Sequence, residues 1–325
     1  MIHADTMPIR ALRPAELTTG PFTVTTARRA GVTHRMLQGI GWRQLLRGVY
    51  ADSDLVVTDQ VRLAALQLAM PPDAVATRLS AAWLHGVWQP PPGKPVPSHF
   101  ATALDRARPA VQAAFSHRAT WWEDDIVTVQ GVLVTAAMRT AFELARRACL
   151  VEAVVVIDAF AYAGLIELPW FWAYLNCHRR WPGVQRVREA TGLASDRARS
   201  GGESRVRMIP VLGGLPEPLV NPPIYRDGIL VAYLDLLLQA RGKDVGVEYD
   251  GAYHEDESQH HRDNRRENGL VGTGGFPLLR YDRFTVVRHD ERVRALHQMG
   301  RAIGLDPPNV LNPLWFADAR RPLRW

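Results

Sequence analysis

From Val231 to Leu238 the sequence runs Val-Ala-Tyr-Leu-Asp-Leu-Leu-Leu, an apolar stretch with a carboxylate, Asp235, inside it. A run of this length and composition predicts a strand, Leu230 to Leu238. A carboxylate within such a strand is expensive unless it is paired or metal-bound. A second apolar strand, Asp244 to Tyr249, leads into Glu248, and Asp250 follows two residues on. With a side-chain period of two, Glu248 and Asp250 share one face if the strand runs that far. Around these lie a helix from Glu203 to Leu212, a charged helix from Gln259 to Val271, a strand at Pro277 to Tyr281 and a helix from Asp290 to Ile303. That order of helix, two strands, helix, strand and helix predicts a small α/β layer fold.

Composition narrows the setting. The chain of 325 residues is long enough for two or three domains with cores of their own. Its net charge is +6 with a sequence pI near 9.7, a surplus that nucleic acid commonly neutralises. Arginine greatly outnumbers lysine, which a GC-rich genome also produces. Cys149 and Cys177 have no CxxC partner, so neither a zinc site nor a disulfide framework is indicated. Met1 to Gly20 is polar and proline-interrupted, unlike a signal peptide. Leu150 to Leu175 is the most apolar region, but Glu152, Asp158, Glu167 and Pro169 make it a buried helix pair rather than a membrane span. The expectation is a cytoplasmic protein with no membrane partner.

Further toward the N-terminus, Ala15 to Ala51 reads as a small winged helix-turn-helix. Thr25 or Thr26 caps a helix ending at Ala30, and Thr33 caps a second through Ile40, with His34 and Arg35 in its first turn. Trp42 to Leu46 and Gly48 to Tyr50 form a wing around Arg47 and Gly48. Arg35, Arg43 and Arg47 are the expected DNA contacts of the second helix and the wing. Helices are expected at Val61 to Ala69, Ser80 to Gly86 and around Arg139 to Arg147, with a hairpin at Val127 to Val134 and a proline-rich loop from Pro90 to Pro97. This middle block holds no catalytic constellation, and Ser195 to Gly202 reads as a polar linker. The division is then a winged helix over 1–57, a middle α/β domain over 58–195, a nuclease-type domain over 196–305 and a tail over 306–325.

Glu203-Ser204-x-x-Arg207, Asp235, Val247-Glu248-Tyr249-Asp250-Gly251-x-x-His254, Arg262-Asp263-x-x-Arg266 and Gly275-Phe276-Pro277-Leu278-Leu279-Arg280, in that order, resemble the Vsr-like branch of the PD-(D/E)XK nuclease superfamily, in particular the DUF559 group. The resemblance covers roughly Ser200 to Leu305 and implies a restriction-endonuclease-like α/β fold hydrolysing DNA phosphodiester bonds with Mg²⁺ or Mn²⁺. It implies Asp235 as main metal ligand, Glu248 as second ligand or site acid, and Glu203 as the helix acid that positions metal-bound water. Asp250 stands where the superfamily's E-x-K pattern has lysine, a departure this branch tolerates. His254 is either a proton shuttle or phosphate contact, or an ordinary surface histidine. Arg262 and Arg266 are expected DNA contacts, and Asp263 with Arg266 either orients the site, binds phosphate or forms a structural ion pair. The loop from Gly251 to His254 is one residue shorter than in Vsr proteins and lacks zinc-binding cysteines, which bears on mismatch-specific cleavage more than on hydrolysis. Phe22-x-x-x-x-Ala27-x-x-x-Gly31-Val32, Leu46-x-Gly48-Val49-Tyr50, Ser80-x-x-x-Leu84-His85-Gly86 and Arg139-Thr140-x-x-x-Leu144-Ala145 are similar to AbiEi-type antitoxins. That likeness implies a regulatory DNA-binding module and a toxin or other defence protein as partner. The expected function is therefore a metal-dependent DNA endonuclease in DNA processing or defence. The alternative is an antitoxin-like regulator whose nuclease fold no longer cuts.

Overall fold

A computed structural model describes residues 13–91, 94–104, 115–251 and 276–316. The chain divides within a helix into two compact units, Met1–Thr140 and Ala141–Trp325.

The first unit begins with β1 (Phe22–Thr23), α1 (Val24–Arg29), α2 (His34–Leu37), β2 (Trp42–Leu46) and β3 (Val49–Asp52), its strands ordered β1-β3-β2. Leu17, Phe22, Ala27, Val32, Leu37, Trp42 and Tyr50 make one small core, in which the Phe22 and Trp42 rings meet edge to face at 5.3 Å. Thr23, not Thr25 or Thr26, caps α1, because its hydroxyl accepts the N–H of Thr26 at 3.2 Å. Thr33 caps α2 as expected, accepting from Met36 N at 3.3 Å. The helix stops at Leu37 rather than Ile40: Gly39 N–H turns back to Met36 O, and the Ile40 side chain is 99% exposed. After α3 (Asp59–Ala69), capped by Thr58, come β4 (Val75–Ala76), α4 (Arg78–Leu84), β5 (His99–Ala103), β6 (Phe115–Ala119), β7 (Ile126–Val129) and β8 (Val132–Thr135). These strands form a mixed sheet of order β6-β5-β4-β8-β7. Helix α5 (Ala137–Ala145) crosses into the second unit.

That unit carries a helical layer, α6 (Leu150–Tyr162), α7 (Leu168–Cys177) and α8 (Val184–Gly192), then α9 (Gly201–Leu212). Next come β9 (Leu219–Val220), β10 (Pro223–Arg226), β11 (Ile229–Tyr233), β12 (Leu236–Ala240), β13 (Lys243–Asp250), β14 (Leu278–Asp282), α10 (Arg283–Val287) and α11 (His289–Ile303). The central sheet is ordered β14-β13-β12-β9, with β13 and β14 parallel and the other pairs antiparallel. Val206 and Ile209 of α9 and Ala295, Leu296, Met299 and Ile303 of α11 bury Leu236, Leu238, Val245 and Val247 on one sheet face. Leu237 falls on the other, with Ala232, Leu234, Ile224, Phe276 and Leu278. Among the described residues no helix is long and apolar enough to cross a membrane.

Three sequence expectations change here. The strand expected over Leu230 to Leu238 is broken at Leu234 and Asp235, so β11 pairs with β10 in a separate ribbon while β12 joins the central sheet. The stretch from Ser195 to Gly202 is not a free linker. Ser195 N–H donates to Asp158 Oδ1 at 2.7 Å, Ala198 is buried, and Ser200 caps α9. Part of the expected tail is also built in, since Leu311 is buried in the main core and the Phe316 ring lies 4.4 Å from the Arg292 guanidinium.

Two ion pairs fix α6 against α9. Arg207, wholly buried, donates through Nη2 to Asp158 Oδ2 at 2.9 Å, and Ser204 Oγ donates to the same oxygen at 2.8 Å. Arg205 pairs with Glu152 through Nε and Nη2 at 2.6 and 2.7 Å. Burial pushes the Asp158 carboxyl above the usual carboxylate range, against the pull of Arg207 and its N–H and O–H donors. Asp158→Asn strands the Arg207 cation in the interior, with only Glu217, among the described residues, at 3.8 Å to offset it. Urea unfolding is expected to show a loss of about 3–5 kcal/mol, largely recovered in Asp158→Asn with Arg207→Met. Equal stability of the single variant and the parent protein contradicts a structural role for the pair.

Candidate active site

Asp235 sits where the chain passes from one sheet to the other. In the β12–β13 ladder Leu236 faces Val247, so one further step sets position 235 opposite Glu248. Gly246 N–H is committed to Pro277 O on the β14 side, and alternation therefore turns the Tyr249 N–H toward β12. A continuing strand would offer the carbonyl of residue 234; here Asp235 Oδ2 accepts that N–H at 2.9 Å. The carboxylate replaces a backbone acceptor, which answers the cost of placing it in an apolar run.

Strand β13 does run to Asp250, so Glu248 and Asp250 share one face, that of Leu237 and away from α9 and α11. Glu248 is half-buried, and Arg280, its partner across the parallel β13–β14 pair, brings Nε to 3.9 Å from Oε2. Asp250 is exposed and faces Asp282, whose Oδ1 caps α10 by accepting from Phe284 N and Thr285 N at 2.9 and 3.0 Å.

Glu203 is buried in the first turn of α9, and its Oε2 accepts from Arg199 N and Asn221 Nδ2, each at 2.9 Å. The turn packs tightly on β13: a Cβ at Gly202 would lie 1.9 Å from the Tyr249 ring, so only glycine admits the ring there. Burial pushes the Tyr249 phenol up, against the opposing charge of Arg205.

Asn221 is the residue that sequence reasoning missed. It is buried, holds φ +46°, and makes three links at once. Its N–H donates to Asp235 O at 2.9 Å, and its side-chain amide donates to Glu203 Oε2 at 2.9 Å and to Arg197 O at 2.7 Å. The two acids are thus joined through one asparagine. Asparagine tolerates the left-handed region that this requires, yet its place before Pro222-Pro223 marks only a turn.

The structure therefore brings Asp235 next to Glu248, sets Asp250 beyond it, and connects Glu203 through Asn221. Among the described residues no three histidine, cysteine or carboxylate side chains converge to hold a metal ion. His254, Arg262, Asp263 and Arg266, with the helix expected over Gln259 to Val271, lie outside the described residues. In the first unit Arg35, Arg43 and Arg47 are all exposed, Arg47 at the turn between β2 and β3 and Arg43 donating to Ser53 O at 2.9 Å. No protein-family model matches this sequence, and no curated protein matches it.

Asn221→Gly keeps the left-handed backbone and deletes both amide bonds. It is expected to cost about 1–3 kcal/mol in urea unfolding, as for hydrogen bonds to a charged group. Asn221→Asp sets a second carboxylate against Glu203 Oε2, which raises a pKa of the folded pair above its unfolded value. The fold then holds more protons than the unfolded chain, so stability falls as pH rises. Asn221→Asp is expected to melt near the parent protein at pH 4.5 and clearly below it at pH 8; parallel pH profiles contradict the bond between Asn221 and Glu203.

Proposed function

We propose that the second unit is a divalent-metal-dependent DNA nuclease of the Vsr-like kind and that the first unit binds DNA. The observation that carries the reading is Asp235 at the start of β12, set by the ladder opposite Glu248 on β13. Mg²⁺ commonly takes only one or two carboxylates from a protein and completes its shell with water and substrate phosphate, and this pair of acids fits that demand. Asp235 and Glu248 would hold the ion. When bound, it supplies Lewis-acid polarisation of the phosphate and a water activated at neutral pH. Arg280, beside Glu248, supplies positive charge for a phosphate oxygen. Glu203, held by Arg199 N–H and Asn221, fixes the start of α9 and is tied through Asn221 to the Asp235 carbonyl.

A second reading has its own support. Asp235 Oδ2 and Glu203 Oε2 already accept internal donors, and no three-group metal cluster occurs among the described residues. A DNA-binding regulator of the antitoxin type, with a nuclease-like unit that no longer cuts, accords with both facts.

Asp235→Asn decides between them. An asparagine oxygen still accepts the Tyr249 N–H, so the fold is expected to persist while the charge is removed. Cleavage of duplex, nicked, mismatched and branched DNA with Mg²⁺ or Mn²⁺ is expected to fall by about a thousand-fold or more, since a metal ion supplies several kcal/mol at roughly 1.4 kcal/mol per decade. A folded parent protein that binds DNA and cuts none of these substrates assigns the chain to the regulator. For the first unit, the triple replacement of Arg35, Arg43 and Arg47 by alanine is expected to weaken duplex binding. It should also flatten the salt dependence by about 0.9 log-log units for each phosphate no longer neutralised. Unchanged anisotropy titrations remove the wing from DNA binding.

A further inference from the structure

The helical layer of the second unit carries a concentration of charge that the acid site does not use. Arg146 and Arg147 follow the last turn of α5, Arg179 and Arg180 lie in the turn from α7 to α8, and Arg186 and Arg188 lie on α8. Packing brings these segments together, with Arg186 and Arg188 flanking the buried face of α8, the first toward the end of α5 and the second toward α7. Arg146 Nη1 donates to Pro182 O at 3.2 Å, and Arg186 Nη1 donates to Ala148 O at 2.9 Å, so the end of α5 is tied to both the turn and α8. Arg179 Nε and Arg188 Nη1 both bond to Asn176, at 3.1 Å to its carbonyl and 2.6 Å to its side-chain oxygen. Gly183, at φ +86°, permits the approach: a Cβ there would lie 2.9 Å from the Arg146 Cβ.

Little negative charge answers the five cations other than Arg146. Between Leu168 and Ser195 the sequence contains one carboxylate, Glu189. Among the described residues Arg147, Arg179, Arg180, Arg186 and Arg188 make no ion pair. Arg147 and Arg180 engage no described protein group through their side chains, while Arg179 and Arg186 spend one N–H each on a carbonyl and keep four donors. The ends of α5 and α7 attract cations through their dipoles, but that effect is confined to the last turn and is met by one or two side chains. Crowding this many unpaired guanidinium groups costs Coulomb repulsion that a polyanion relieves.

Trp170 and Tyr162 are exposed, but in the first turn of α7 and at the end of α6, whereas the rings beside these arginines are engaged. Trp172 lies under the Arg188 guanidinium at 5.3 Å, and Trp181 stacks on His178 at 3.9 Å with Tyr174 beside it. They offer no open platform for unstacked bases, which sets the surface apart from a single-strand site. We propose that the arginine surface built by the end of α5, the α7–α8 turn and α8 binds the phosphate backbone of duplex DNA without reading its bases. The surface acts this way whether or not the acid site cuts.

The test uses the full chain in EDTA, so that metal-dependent hydrolysis cannot enter, and a fluorescein-labelled 20-base-pair duplex followed by anisotropy from 50 to 300 mM NaCl. R147Q/R179Q/R180Q/R186Q is expected to lower affinity at least about tenfold and to reduce the salt slope by about 0.9 for each phosphate no longer neutralised. The corresponding four lysine replacements keep the slope near that of the parent protein. If the four-glutamine variant does not melt cooperatively, R147Q/R180Q serves in its place, since those side chains hold nothing in the fold; about half the change in slope is then expected. The proposal is overturned if a folded glutamine variant matches the parent in affinity and slope, or if the parent does not bind the duplex. It is equally overturned if a poly-glutamate peptide or a 20-nucleotide single-stranded RNA binds the parent more tightly than the duplex at equal salt. Loss of cleavage in Asp235→Asn has no bearing on these titrations, so the two readings fail separately.

Discussion

The second unit depends on a guanidinium that no water reaches. Arg207 lies on the inner side of α9, and an arginine there is tolerable only because Asp158 of α6 meets it at 2.9 Å. The same carboxylate takes Ser204 Oγ and Ser195 N–H, so one buried acid fixes a helix, the segment leading into it, and the layer behind it. Hydrophobic burial would hold α6 against α9 in several registers. The ion pair, with the second one between Arg205 and Glu152, selects one of them. That choice sets where the first turn of α9 falls on β13, and so where Glu203 lies.

From that frame the acid site follows by substitution of side chains for backbone. The Asp235 carboxylate accepts an N–H that a longer strand would have satisfied, and the side-chain amide of Asn221 donates to Arg197 O, an acceptor outside any strand. Each replacement ends a regular element and spends a polar group that would otherwise be stranded inside. The resulting irregularity, a strand broken at Leu234 and Asp235 and a left-handed Asn221, is concentrated beside the acids. Irregular backbone stabilised by side chains is costly, and its gathering at one end of the β12 and β13 strands is the physical reason to look for function there.

Local pattern revealed much of this fold and little of its wiring. Helices α3, α6, α7, α9 and α11 and strands β13 and β14 were legible because caps, turns and apolar periodicity act within a few residues. The β2–β3 hairpin was legible for the same reason, from Arg47 and Gly48 between two apolar runs. Strand β4 was not, since two residues, Val75 and Ala76, carry no period to detect. The assignment of α6 to the unit of the acid site was not legible either, because Asp158 and Arg207 stand 49 positions apart. Asp235, Glu248 and Asp250 were readable as site candidates because acids stand out against apolar strands. Asn221 does not stand out, and its link to Glu203, 18 positions earlier, exists only once β9 and α9 are placed. The arginine surface was hidden in the same way, being assembled from the end of α5, a turn and α8.

The bonds that fix these acids would let the unit fold without the ion proposed for it. A structural metal site owes its ligands' order to the ion, and without it the ligands repel or the fold is lost. Here Asp235 Oδ2 is held by Tyr249 N–H, Glu203 Oε2 by Arg199 N–H and Asn221, and Glu248 lies near Arg280. Each carboxylate has a protein donor or cation that keeps it in place with no ion present. On the proposed reading, an ion arriving with a DNA phosphate would meet acids already positioned, and its binding energy would go to the phosphate rather than to ordering the protein. The same preordering explains why a protein that had given up cutting could keep this arrangement. The acids bond to the backbone and side chains around them in their own right, so the fold already uses them before any question of catalysis arises.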